Sequence, residues 1–141
     1  MKINKMKTLC RAKSVGGDNV YGLPEGEMIK FFTWFRDEKG KRFLVHTESI
    51  CAYAGKEDSE GNLIFEGDVI LVKTDFEGET FFEYFVVAFD NKVCAFCAFS
   101  SSGRNYEGFL DFGDSHVVVI GNVFDNPDMV INWENPQKIK L

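Results

Sequence analysis

Residues 80–89 alternate with a two-residue period. Phe82, Tyr84, Val86 and Ala88 fall on one side, and Phe81, Phe85, Val87 and Phe89 on the other. That period predicts a long β-strand. Asp90-Asn91 then separates it from a second apolar run, residues 92–99, which reads as a hairpin with a tight turn. Residues 68–73, Asp-Val-Ile-Leu-Val-Lys, form a continuous apolar stretch, the pattern of a buried strand. Residues 74–79 read as a loop, and residues 108–112 and 116–124 as further strands. On this pattern Val69, Leu71, Phe85, Val87, Val118 and Ile120 are expected to share one core.

The first half is more broken. Residues 8–13 predict a short strand, residues 15–19 a turn, and residues 20–23 a brief strand ended by Pro24-Glu25-Gly26. The aromatic residues 28–35 predict a strand. Asp37-Glu38-Lys39-Gly40 reads as its hairpin loop, with residues 41–46 returning. From Tyr53 the pattern changes to a polar loop hinged at Gly55 and Gly61, then a short strand, the turn Glu66-Gly67-Asp68, and the buried strand after it. Near the end, Asn126 and Pro127 predict an N-cap and first position of one helical turn.

Composition supports this reading. Apolar residues make up 45% of the 141-residue chain, enough for a substantial core. Fifteen Phe favour strands over helices. The expected fold is mostly β, with an N-terminal β-hairpin region over residues 1–64. A small SH3-like β-barrel and tail would follow over residues 65–141, including the short helical turn. No apolar stretch reaches the length of a membrane span. The N-terminal cations are not followed by an apolar segment of the signal-peptide kind, so the expected location is the cytoplasm.

Two motifs resemble the YopX family of phage and prophage proteins. The first is Tyr53-Ala54-Gly55-Lys56-Glu57-Asp58-Ser59-Glu60-Gly61-Asn62-Leu63-Ile64-Phe65-Glu66-Gly67-Asp68-Val69-Ile70. It is similar to the family pattern Tyr-x-Gly-x-x-Asp-x-x-Gly-x-x-Ile-Phe/Tyr-Glu-Gly-Asp-Ile/Val-Val. The second, Val119-Ile120-Gly121-Asn122-Val123-Phe124-Asp125-Asn126-Pro127-Asp128, resembles the family's closing Ile-Gly-Asn-Ile-x-x-Asn-Pro-Glu element. Arg11-Ala12-Lys13 and Val20-Tyr21-Gly22 match its opening strands. The resemblance implies a phage or prophage setting and assigns no activity.

Charge narrows the partners. The net charge is −6. Residues 1–50 carry ten Lys/Arg against six Asp/Glu, a balance of +4, and residues 51–141 carry six against sixteen, a balance of −10. This disfavours generic binding to phosphate backbones, which depends on Lys and Arg displacing counterions. The basic start reads better as a solvated arm, or as a partner for the acidic part of a neighbouring subunit.

Candidate chemistry is sparse. Cys94 and Cys97 form a Cys-x-x-Cys, but in a strand residues three apart face opposite ways, and no helix N-terminus is present to activate a thiol. Zinc would need Cys10, Cys51, His46 or His116 at no recognisable spacing, so the cysteines read as core residues and no metal or cofactor is expected. Gly55, Gly61, Gly67 and Gly121 read as backbone positions. Glu66, Asp68, Asn122, Asn126 and Pro127 read as turn and cap residues. Asp111, Asp114 and His116 could hold a metal, but Asp-Phe-Gly-Asp-Ser is also an ordinary β-turn sequence. No nucleophile constellation is legible. Trp34, Tyr106 and Trp133 exceed what a small core needs and mark a possible interface. The expectation is a non-enzymatic, self-associating accessory protein that forms a homo-oligomer, with a phage or host protein as a further partner. A nucleic-acid accessory factor and an acidic DNA mimic are the alternatives.

Overall fold

The computed structural model describes residues 9–100 and 108–128. They form eleven strands: β1 (Cys10–Lys13), β2 (Asn19–Pro24), β3 (Phe32–Asp37), β4 (Arg42–His46), β5 (Cys51–Glu57), β6 (Leu63–Phe65), β7 (Asp68–Phe76), β8 (Glu79–Asp90), β9 (Ala95–Ser100), β10 (Gly108–Phe109) and β11 (His116–Asn122). One sheet has the order β4-β3-β2-β1-β5-β6, the other β10-β9-β8-β7-β11. The chain divides into two compact units, Met1–Gly55 and Lys56–Leu141.

In the first unit, β2 and β3 alternate exposed and buried residues along their length. Ala12, Val20, Phe35 and Val45 point inward and form the core, with Cys10, Phe43 and Ile50 packed against it. Gly22 also points inward. A Cβ there would collide with the Arg36 carbonyl oxygen and lie 2.9 Å from the Asp37 Cα, so only glycine lets β2 and β3 pair this closely. Past the end of β1, Ser14 bridges to Val45, and the Val15 N–H donates to the Leu44 carbonyl at 2.9 Å. The sheet therefore curls until the end of its β1 meets β4. The β3–β4 loop is fixed by Asp37, whose Oδ1 accepts the N–H groups of Lys39 and Lys41, both at 2.9 Å.

β2 ends at Pro24, which pairs with Phe35, as the sequence reading has it. The other first-half strands depart from that reading in two places. Residues 28–31 are not strand, and β3 starts at Phe32. The segment from Tyr53 to Glu57 is strand β5 rather than polar loop. β5 pairs with β1 through Cys51 and Ala52, opposite Arg11 and Cys10, and the Tyr53 N–H donates to the Leu9 carbonyl at 2.9 Å, partners that no local pattern discloses.

In the second unit, β7 and β8 form a long hairpin from Val69–Val86 to Phe76–Glu79. Its connection is the two-residue turn Glu77-Gly78, both at positive φ (51° and 79°), which suits the right-handed twist of the strands. The expected loop over residues 74–79 is therefore mostly strand. The next turn is longer than Asp90-Asn91. It runs over residues 91–94, and Cys94 sits in it at φ 52°.

The expected shared core mixed two faces. The register sets Ile70 opposite both Phe85 and Val119, with Val87 on that same face. Val69, Leu71 and Val118 lie on the other face. Val69, Phe85 and Val87 are buried, and Leu71, Val118 and Ile120 are partly exposed. Ile120 falls at a β-bulge between Val119 and Gly121. A continuous apolar run such as residues 69–72 does not declare which alternate set meets which neighbour. The expected closed barrel is also not formed. Among the described residues this sheet is open, ending at β10 and β11.

Candidate interaction surface and signature clasp

The signature segment works as a clasp on the open edge of β11. Asp58, Gly61 and Asn62 form a tight turn in which the Asp58 N–H donates to the Asn62 carbonyl at 2.7 Å. Gly61 stands at φ 85°, a conformation glycine adopts without cost. The buried Asp58 carboxylate accepts four bonds. Oδ1 takes the Glu60 and Asn62 N–H groups at 2.9 and 2.8 Å; Oδ2 takes the Asn62 amide at 3.3 Å and the Val119 N–H at 3.1 Å. Ser59 completes the contact. Its N–H donates to the Val117 carbonyl, and its Oγ accepts the Val117 N–H, both at 2.8 Å. An edge strand's bare N–H and C=O groups are thereby paired. Burial alone would raise the Asp58 pKa. The bonds from Val119, Asn62 and Glu60 together outweigh it, and the net shift is downward.

Glu66-Gly67-Asp68 holds β8. Gly67, at φ 86°, donates its N–H to the Val87 carbonyl at 2.7 Å, and its carbonyl accepts the Val123 N–H at 2.9 Å. Asp68 is fully buried, and its Oδ2 accepts the Phe65 N–H at 2.8 Å. Glu66 Oε2 accepts the Phe89 N–H at 3.3 Å. The closing motif is a second turn. Asn122 Oδ1 accepts the Phe124 and Asp125 N–H groups at 3.0 and 2.8 Å, and Asn126 Oδ1 accepts the Asn122 N–H at 3.2 Å. Helix starts at Pro127. Gly55, at φ 85°, lies within β5 instead of a loop.

The other candidates do not converge on one site. Asp111 Oδ1 accepts the Gly113 N–H at 3.2 Å, and the Ser115 N–H donates to the Phe112 carbonyl at 3.1 Å, a turn. Asp114 and His116 line a shallow cleft with Lys73, Thr74, Asp75 and Ser115. Among the described residues no three His, Cys, Asp or Glu side chains are grouped to hold a metal. All four cysteines are free thiols. Cys94 is exposed in its turn and Cys97 is buried in β9, so the pair shares no site. Burial pushes the Cys10 thiol pKa up. No described helix is long and apolar enough to cross a membrane.

The surface is less ordinary. On the outer face of the first sheet, Tyr21 and Leu23 of β2 and Phe32 and Trp34 of β3 are all more than two-fifths exposed. Arginines and a histidine stand among them. The Arg42 guanidinium lies over the Trp34 ring at 4.3 Å, and the His46 and Phe32 rings are 5.5 Å apart. Arg36 Nε and Nη2 donate to the two oxygens of Glu25 at 2.9 and 3.1 Å, and Arg42 approaches the same carboxylate at 3.4 Å. The Arg36 bonds draw the Glu25 pKa down. Trp34 was the one residue of this face that the sequence marked for an interface. Tyr21 and Phe32 carry their signal in the alternation of their strands. Tyr106 and Trp133 lie outside the described residues.

This is a small antiparallel β-protein whose signature acids serve its turns and several of whose aromatics lie exposed on its sheets. The chain belongs to the YopX family, whose match (YopX protein) runs over residues 12–130. No curated protein matches it.

Proposed function

We propose that this chain is a non-catalytic accessory protein of a phage or prophage, and that it works as an assembly of identical copies. The observation that carries the assembly is the β7–β8 ribbon. Among the described residues, β9 pairs with β8 only from Phe85 onward, and β11 pairs with β7 only as far as Lys73. Among the described residues the hairpin beyond those points has two strands, and it carries Phe76, Phe81 and Phe82 at 63%, 51% and 59% exposure. Three exposed Phe on one hairpin are costly to leave in water. A second copy of the same ribbon, related by a two-fold axis, would cover Phe76 and Phe81, which share one face of it.

The non-catalytic reading rests on the acids. Asp58, Glu66 and Asp68 hold backbone N–H groups, which is structural work. Light scattering on the full chain tests the assembly. The expected mass is a multiple of 16.0 kDa, falling toward a single chain in the double variant Phe81→Ser/Phe82→Ser. A wild-type monomer at micromolar concentration would defeat the proposal.

A further inference from the structure

We infer that the outer face of the first sheet binds single-stranded nucleic acid, with Trp34 at its centre. This face is separate from the β7–β8 ribbon and is carried by a different observation. On it, exposed aromatic rings and arginines lie on neighbouring strands. Phe32 pairs with His46, Trp34 with Leu44, Arg36 with Arg42, and Tyr21 with Arg11. Phe32 and Trp34 are two apart on one strand and so point the same way, about 6.6–6.8 Å apart along it. Unstacked bases lie on such rings and on guanidinium planes, because every base has a π-face. Arg42 over Trp34 already forms a stacked cationic platform.

Charge complementarity favours a polyanion over a neutral partner. Among the described residues Arg36 and Arg42 share a single carboxylate, Glu25, which leaves that cluster with one positive charge in excess. Residues 9–50 carry seven Lys/Arg against six Asp/Glu, a balance of +1. Duplex DNA is a poor fit. Its bases are stacked away from the rings, and its phosphates would need a long basic stripe in a chain of net charge −6. A single strand offers bases to the aromatics and a few phosphates to the arginines.

The experiment is fluorescence anisotropy of labelled oligothymidine, oligouridine and a mixed-sequence duplex against the full chain, at low and at physiological salt. Oligothymidine or oligouridine should bind, the duplex should bind more weakly, and added salt should loosen the complex. Preference between the two single strands separates a DNA ligand from an RNA one. Trp34→Ala and Phe32→Ala should each weaken binding by about tenfold or more. Trp34→Phe should retain most of it, and Arg42→Gln should lower the salt dependence. Thermal melts confirm that each variant is folded. Absence of single-strand binding at low salt, equal binding by Trp34→Ala, or tighter binding of duplex would each overturn the inference. If Trp34→Ala instead lowers the mass in light scattering while oligothymidine is ignored, the face is a contact between copies. The inference then fails and the proposed assembly stands. A monomeric Phe81→Ser/Phe82→Ser variant that still binds oligothymidine upholds the inference independently of assembly.

Discussion

Asp58 and Val119 are 61 residues apart in the chain, yet the Asp58 Oδ2 accepts the Val119 N–H at 3.1 Å. The carboxylate thereby ties the signature turn to the edge of β11, two residues before the β-bulge ends at Gly121.

Asp58→Asn keeps the shape of the side chain but replaces one acceptor oxygen with a donor. A buried bond network to a charged group is lost in part, and the expected cost at neutral pH is about 1.5–3 kcal/mol. The folded-state pKa of Asp58 lies below its ordinary 3.8. Its contribution is therefore present above that value and is lost as pH falls through the folded pKa. Denaturant melts of wild type and Asp58→Asn should differ at pH 7 and converge in strong acid. A difference that stays constant with pH would refute the ionic part of the argument.

Gly22 and Gly67 fail for different reasons when given a side chain. Gly22→Ala drives a Cβ into the Arg36 backbone, and a backbone carbonyl cannot swing aside. The expected loss is at least about 3 kcal/mol, the upper part of the overpacking range. Gly67→Ala meets the more yielding Val123 Cγ2 at 3.2 Å but must hold φ 86°, which costs about 1–2 kcal/mol. Chemical melts that rank Gly67→Ala as the worse variant would contradict this order.

The thiols should separate by burial. Cys94 stands exposed in its turn, while Cys97 is fully buried. Iodoacetamide on native protein, read by mass spectrometry, should label Cys94 and leave Cys97 until denaturant is added. Elemental analysis should find no stoichiometric zinc. About one zinc per chain, lost in a Cys94→Ser/Cys97→Ser variant, would show that the two thiols do meet in solution.

The local patterns were legible wherever one strand could be read by itself. The alternation of residues 80–89 is strand β8, and Asp37 to Gly40 is the turn between β3 and β4. The Glu66-Gly67-Asp68 turn and the helix start at Pro127 also follow from residue types that demand positive φ, side-chain acceptors or a missing N–H. The two motifs carried the family.

What no local pattern contains is pairing. From Tyr53 on, β5 looks like polar loop, because what starts the strand is the pairing of Cys51 and Ala52 with β1, 40 residues upstream at Arg11. Asp58 looks like one turn acid among many until β11 arrives beside it. The choice between Val69 and Ile70 as partner of Phe85 rests on register, which long-range hydrogen bonds set. The outer face around Trp34 exists only because β2, β3 and β4 lie side by side, so that Tyr21, Phe32, Arg36, Arg42 and His46 come from three strands to one surface. The sequence determined which residues are apolar, which must turn and which can cap. The tertiary structure decided which of them meet, because a sheet joins its strands through backbone groups that every residue type supplies alike.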